Sequence, residues 1–185
     1  FGAIIKFVKE KKIQWNVAIT LSIGGIIASL IGSRILLTSS PEFLEKTIAV
    51  LLLLLVPTIF VKKKFGLNRV KVPSWMKVAG VLIYFLLSIM ASMFGGLGTV
   101  MIATVVYFFG LTMIEGNATK ILSYAVLSVV AVIIFIINGI VNFPIGLAMF
   151  VGLFFGGYLG AHTAIKKGNQ WVKLVFAIAN FSFFR

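Results

Sequence analysis

The chain has 185 residues, of which 61% are hydrophobic and 11% are charged, and its mean hydropathy is +1.14. This composition excludes a soluble globular domain and identifies an integral membrane protein. Lys and Arg number 17 against four Glu, but these cations lie in short loops between apolar spans, so the positive-inside rule explains them better than a nucleic-acid partner does. The absence of cysteine excludes a disulfide, a thiolate metal site and a cysteine nucleophile.

The first third of the chain is predicted to contain two complete membrane spans. Residues 1–8 resemble the last turns of a helix whose beginning is missing. One span follows over residues 15–33 and another over residues 47–61, in which Pro57 predicts a kink. The first span carries small residues at four-residue spacing, a ridge that lets a second helix approach closely. These residues are Gly24, Ala28 and Gly32.

A glycine-rich motif organises the middle of the chain. Residues 78–114 carry no charge and no histidine, a run too long for one membrane helix of about 20 residues. The glycines at 95, 96 and 98 favour a backbone break, so we predict two short helices, 79–94 and 99–112, that meet at a hinge. Such breaks are tolerated in lipid where they line a covered cavity, as at transporter binding sites. The alternative is a tight hairpin tip or a packing notch.

In the last part of the chain we predict one helix start and three more apolar segments. Residues 115–120 carry capping side chains typical of a helix start. The uncharged residues 121–161 hold two spans divided at residues 138–144, and a final apolar segment covers residues 174–184.

An internal repeat relates the two ends of the chain. The small-residue ridge that ends at Gly32 is matched, 128 residues later, by a ridge formed by Gly152, Gly156 and Gly160. We therefore predict an all-α polytopic bundle of two inverted repeats with glycine-broken, re-entrant-like helix pairs. Residues 1–61 would be the C-terminal part of the first repeat, residues 62–77 a basic cytoplasmic linker and residues 78–185 the second repeat. The first repeat is expected to lack roughly 50 residues, its own broken pair included.

The distribution of basic residues predicts the orientation. Residues 62–77 carry six Lys or Arg, residues 163–173 and residues 9–12 carry three each, and residues 139–143 carry none. The first three segments are therefore expected on the cytoplasmic side and the last one on the opposite side. This requires the broken pair to enter and return on one side. We predict that the protein lies in the cell membrane and crosses it several times.

Four motifs give the chain a family resemblance. Phe94-Gly-Gly-Leu-Gly-Thr99, Glu115-Gly-Asn-Ala-Thr-Lys120, Asn138-Gly-Ile-Val-Asn142 and the Gly152 ridge occur in the order and spacing of the sulfite exporter TauE/SafE family. The chain resembles this family well over residues 78–185 and more loosely over residues 1–61. The resemblance implies a permease for small sulfur-containing anions such as sulfite or organosulfonates. The chain departs from the family in lacking its first helices.

An anion site is predicted around the glycine break. The helix that begins near Thr99 would direct free N–H groups and its positive dipole end into the break, and Lys120 is the cation of the next helix start. Capping explains Asn117 and Thr119 equally well, and snorkelling to the interface is the alternative for Lys120. The predicted substrate-binding residues are Gly95, Gly96, Gly98, Thr99, Thr104, Asn117, Thr119 and Lys120.

Catalysis is not predicted. The single histidine, His162, lies beside a basic connector, where a surface position is expected, and the four glutamates lie at span ends. No catalytic residue, metal site or cofactor follows from these residues, so we do not expect an enzyme. The predicted function is alternating-access transport of a small anion, with the lipid bilayer as the other partner and a homo-oligomer left open. The alternatives are a non-transporting membrane scaffold or assembly subunit and a passive anion channel.

Overall fold

The computed structural model describes residues 1–47, 66–95 and 97–182, together with their side chains except those of residues 173 and 176–182. Within these ranges the chain forms helices joined by short turns and contains no strand, which confirms the predicted all-α fold. The helices are α1 (Gly2–Lys9), α2 (Trp15–Thr38), α3 (Ser74–Phe94), α4 (Gly98–Phe109), α5 (Met113–Ile137) and α6 (Phe143–Ser182), and residues 41–47 are helical as well. The predicted span 47–61 and its Pro57 lie almost entirely outside the described residues.

Among the described residues, four helical stretches are long and apolar enough to cross a membrane. They are α2, α3, α5 and the Phe143–Val172 part of α6. The shortest, α3, has 21 residues and at about 1.5 Å per residue is as long as the roughly 30 Å hydrocarbon layer is thick. Large apolar side chains such as Ile19, Leu82 and Leu153 are exposed on their outer faces, as a lipid environment requires. The protein is therefore a multi-pass integral membrane protein.

Helices α2, α3 and α5 run in the same direction. The backbone N–H of Gln14, at the start of α2, donates to Thr119 Oγ1 near the start of α5 over 3.1 Å. Further along, Ser29 Oγ donates to the carbonyl of Leu127 over 3.0 Å. On the other side of α2, Gly32 faces Ser92 near the end of α3. Helix α2 thus packs between α3 and α5, and the first small-residue ridge is a true helix-packing surface.

Helices α3 and α4 form a re-entrant hairpin. Gly110, directly after α4, has a left-handed backbone (φ 65°), and its carbonyl accepts a 2.9 Å hydrogen bond from the N–H of Val70, shortly before α3. The two open ends of the pair therefore lie together, which confirms that the pair enters and returns on one side. The helix limits differ from the predicted ones. Helix α3 begins at Ser74 because Pro73 is extended, and α4 ends at Phe109 because Gly110 turns the chain.

Helix α5 begins two residues before the predicted start at residue 115. Its N-cap is Thr112, whose hydroxyl accepts from the N–H of Glu115 while the Glu115 carboxylate accepts from the N–H of Thr112. Both halves of this capping box are made, so the helix start is fixed at Met113. The Glu115 carboxylate also accepts hydrogen bonds from Arg69, at 2.6 to 3.0 Å, and these raise the pKa of the Arg69 guanidinium.

Helix α6 returns antiparallel to α5. The turn at residues 138–142 joins the two helices at one end, and at the other end Asn169 of α6 hydrogen-bonds the backbone of Ile114 and of Leu67. The described parts of the three basic segments thus meet at one end of the bundle, which we call the basic end. The turn lies at the opposite end. This relative arrangement is the predicted one, and the cytoplasmic location of the basic end stays a prediction.

The sidedness can be measured because the chain has no native cysteine. We expect single cysteines at the exposed positions Lys71 and Lys167 to react with a membrane-impermeant maleimide only from the cytoplasmic side. A cysteine at exposed Ile140 should react only from the other side. Intact cells and inverted vesicles give the two exposures. Labelling of positions 71 and 167 from different faces would contradict both the threading and the structure.

The two proposed repeats share helix starts and differ in packing. Helix α2 begins at Trp15 and α6 at Phe143, 128 residues apart, and they run in opposite directions. In the first ridge, a Cβ added to Gly32 would overlap α3, whereas the space beside Gly152, Gly156 and Gly160 is open to 4 Å. The helix starts agree with an inverted repeat, which stays a prediction.

A buried lysine at the glycine break

The chain breaks sharply between α3 and α4. Helix α3 ends at Phe94, and Gly95 then takes φ 67° and ψ −155°, a conformation that is strained for any residue with a Cβ atom. The N–H of Leu97 donates to the Gly95 carbonyl, and α4 begins at Gly98. The predicted hinge is confirmed at Gly95, while Gly96 lies outside the described residues. The alternative prediction of a tight hairpin tip also fits this geometry. The chain turns here between two apolar helices, and the turn lies inside the bundle.

Lys120 of α5 points to this break. Its side chain is 9% exposed, and its Nζ lies 3.1 Å from the place where a Cβ of residue 98 would be. The ammonium group therefore lies buried against the first residue of α4, which favours the anion-site interpretation over snorkelling, and the binding role of Lys120 stays a prediction. Because Gly98 has no side chain, there is space beside it for the Lys120 ammonium group.

Tyr124, one turn after Lys120, completes the described wall of the site. The Lys120 Nζ lies 4.3 Å from the centre of the Tyr124 ring, a cation–π contact. The Tyr124 hydroxyl lies 3.8 Å from the place where a Cβ of Gly95 would be. Sequence analysis missed this residue, although its i+4 spacing from Lys120 puts both side chains on one helix face.

Two positive features meet at the break. The first amide groups of α4 have no partner within their own helix, and the helix dipole adds a partial positive charge at Gly98. The Lys120 ammonium adds a full charge. All four glutamates lie in the described residues, and their ion pairs there are with Lys6 and Arg69, not with Lys120. The arrangement is therefore suited to an anion.

A family model named Sulfite exporter TauE/SafE matches residues 1–182 of the 185. The chain belongs to the TauE/SafE family. Members of this family are membrane transporters of sulfur anions, so the predicted resemblance and the predicted transport class are both confirmed. No curated protein and no solved structure matches the chain.

In this TauE/SafE chain, some of the predicted substrate-binding residues have no described contact at the break. Thr104 is buried and donates to the carbonyl of Val100 within its own helix. Thr119 is fully buried and accepts from the Gln14 N–H, so it joins α2 to α5. Thr99 is half-buried in the first turn of α4. The role of these side chains in substrate binding stays a prediction.

Asn117 and Thr119 are not the caps of α5. Because Thr112 is the N-cap, both residues lie one or two turns inside the helix, and the capping alternative for them is wrong. Asn117 is half-buried. His162 is exposed, as predicted for a residue beside the basic connector.

A buried pair of hydroxyl groups holds the helix of Lys120 in place. Tyr84 of α3 and Ser123 of α5 share a hydrogen bond in the core, and Ser123 also donates to the backbone carbonyl of Lys120 over 3.2 Å. These contacts tie α5 to α3 beside the break. These hydrogen bonds therefore fix the position of Lys120 relative to α3, the helix that ends at the break.

Proposed function

We propose that this protein transports a small sulfur oxyanion, such as sulfite or an organosulfonate, by alternating access, and that the anion binds between Lys120 and the start of α4. The observation that supports this most is the position of the Lys120 ammonium against Gly98. The residues that we assign to the site are Lys120, Tyr124, and the backbone of Gly95 and of residues 97–99.

The energetics of a buried ammonium support an anionic ligand. Removing a charge from water is costly unless a counter-charge or hydrogen bonds compensate, and intramembrane ionisable residues usually mark substrate pathways. Lys120 has the Tyr124 ring as its described partner and no paired carboxylate. An oxyanion supplies the missing charge and can accept from both the ammonium and the free α4 amides.

Burial of the site favours alternating access over a channel. The Lys120 side chain is almost closed off from solvent, and Leu97 and Met101 beside the break are buried. An anion can therefore reach Lys120 only after helices move apart. A scaffold would gain packing from the first glycine ridge, but it would gain nothing from burying an ammonium group.

Uptake into proteoliposomes tests the proposal. We expect radiolabelled sulfite to enter vesicles that contain the purified protein, with saturation at high sulfite and competition by excess organosulfonate. Saturation is expected because one site with a conformational cycle limits the rate, whereas a channel gives flux that rises in proportion to concentration. Protein-free vesicles are the control. Uptake equal to theirs for every sulfur anion would favour the scaffold.

A further inference from the structure

Asn169 joins three segments of the protein at the basic end. Its Oδ1 accepts a 3.0 Å hydrogen bond from the N–H of Ile114 in the first turn of α5. Its Nδ2 donates over 3.1 Å to the carbonyl of Leu67, in the linker before α3. One side chain of α6 therefore satisfies a free N–H group at a helix start and a free linker carbonyl at the same time.

The linker to which Asn169 bonds is itself fixed to the hairpin and to α5. The N–H of Met113 donates to the Gly66 carbonyl over 2.8 Å, and the N–H of Val70 donates to the Gly110 carbonyl. The Arg69–Glu115 ion pair adds a third connection. Linker residues 66–70, the open ends of the hairpin and the start of α5 thus form one bonded layer. Asn169 bonds to this layer from a different helix.

This layer lies at the basic end, a short distance along α5 from the anion site. Ile114 precedes Lys120 by six residues, a rise of roughly 9 Å along α5. Over that distance Ile114 and Ala118 of α5 belong to one buried apolar cluster with Ala161 of α6 and with Ala3 and Phe7 of α1. Apolar side chains therefore fill the space where α1, α5 and α6 meet, and the Asn169 amide bonds to the start of α5 beside this cluster.

Gly168 gives α6 its shape beside this contact. It interrupts α6 with φ 82° and ψ −179°, a backbone region that is essentially restricted to glycine. A Cβ at this position would meet nothing within 4 Å, so the requirement for glycine comes from the backbone and not from packing. Asn169 follows directly and begins the next helical segment. The bend therefore lies at a residue with no close neighbour of its own, directly before Asn169.

We propose that Asn169 is the closing contact of a gate at the basic end of the transport path and that Gly168 is its hinge. This inference rests on the proposed alternating-access function. To release an anion at the basic end, α6 must move away from the start of α5, and both Asn169 hydrogen bonds must break. Water can replace both partners at this contact, so the gate opens and closes reversibly.

A reversible cross-link tests the gate, since the chain has no other cysteine. In the Leu67→Cys, Asn169→Cys double variant, we expect oxidation to lower sulfite uptake at least ten-fold and a reducing agent to restore it. The single variants should not respond to oxidation. Failure of the disulfide to form, or equal uptake with and without it, would overturn the gate. Absence of uptake by the unmodified protein would instead overturn the proposed transport function.

A labelling experiment tests the gate without transport. A cysteine in place of buried Ala118 should react slowly with a maleimide supplied at the basic end. Adding Asn169→Leu, which removes both hydrogen bonds, should raise that labelling rate at least five-fold. Gln170→Leu, at the exposed neighbouring position, is the matched control and should leave the rate unchanged. Equal rates in the two variants would show that Asn169 is only a packing contact.

Discussion

Lys120→Met is expected to remove most sulfite uptake while leaving the protein folded in the membrane. A hydrogen bond to a charged group contributes about 1.5–3 kcal/mol, so its loss weakens anion binding roughly 10- to 150-fold. Methionine has nearly the same length and is apolar, so the buried position accepts it without an unpaired charge. Initial uptake rates over a range of sulfite concentrations, measured in proteoliposomes, should show the loss mainly as a higher KM.

The controls separate a lost ligand from a lost fold. Lys71→Met removes a charge at an exposed position of the linker and is expected to leave uptake unchanged. The thermal midpoint of Lys120→Met in detergent should equal or exceed that of the unmodified protein, because the buried charge is gone. Unchanged uptake by Lys120→Met would remove Lys120 from the site and with it the main support for the proposed function.

The re-entrant hairpin could be predicted from the sequence because two separate signals agree. The uncharged run of residues 78–114 is too long for one crossing and has glycines at its centre, and basic residues precede it. These features predict that the chain enters the membrane, turns at the glycines and returns to the same side. The hydrogen bond between Val70 and Gly110 shows that path directly. Length and charge determine it because the bilayer thickness is fixed.

The orientation of Lys120 could not be predicted from the sequence. A lysine near a helix start commonly reaches the interface, and the spacing of apolar residues in a helix that is apolar on every side does not tell which face is buried. The structure decides the question because α4 begins with a glycine that leaves room for the ammonium group. Tyr124 was missed for the same reason, since its partner depends on where Lys120 points.

The sequence did contain a signal for the observed start of α5. Residues 115–120 include Asn117 and Thr119, both good capping residues, and they drew the predicted start too far along the chain. Thr112 and Glu115, however, have the three-residue spacing of a capping box. Giving that pair more weight than single capping residues would have placed the helix start correctly.

Gly32→Ala is expected to destabilise the fold strongly, whereas Gly160→Ala at the matching position of the second ridge is not. A Cβ at Gly32 would lie 2.0 Å from Ser92 Oγ and 2.3 Å from the Ile89 carbonyl oxygen. The serine can rotate away, but the carbonyl belongs to the α3 backbone, so α2 and α3 must separate. Overpacking of this kind costs about 3 kcal/mol.

The matched variant isolates the packing effect, because both substitutions add one methyl group to a helical glycine. At Gly160 the space is open to 4 Å, so only the helix propensity of alanine acts, which stabilises by up to about 1 kcal/mol. Thermal unfolding in detergent should therefore show a midpoint lower by roughly 6–12 °C for Gly32→Ala and an unchanged or slightly higher midpoint for Gly160→Ala. Equal losses at both positions would mean that the second ridge of this chain is also packed against a helix. Equal tolerance would mean that α2 and α3 do not meet as closely at Gly32 as the structure shows.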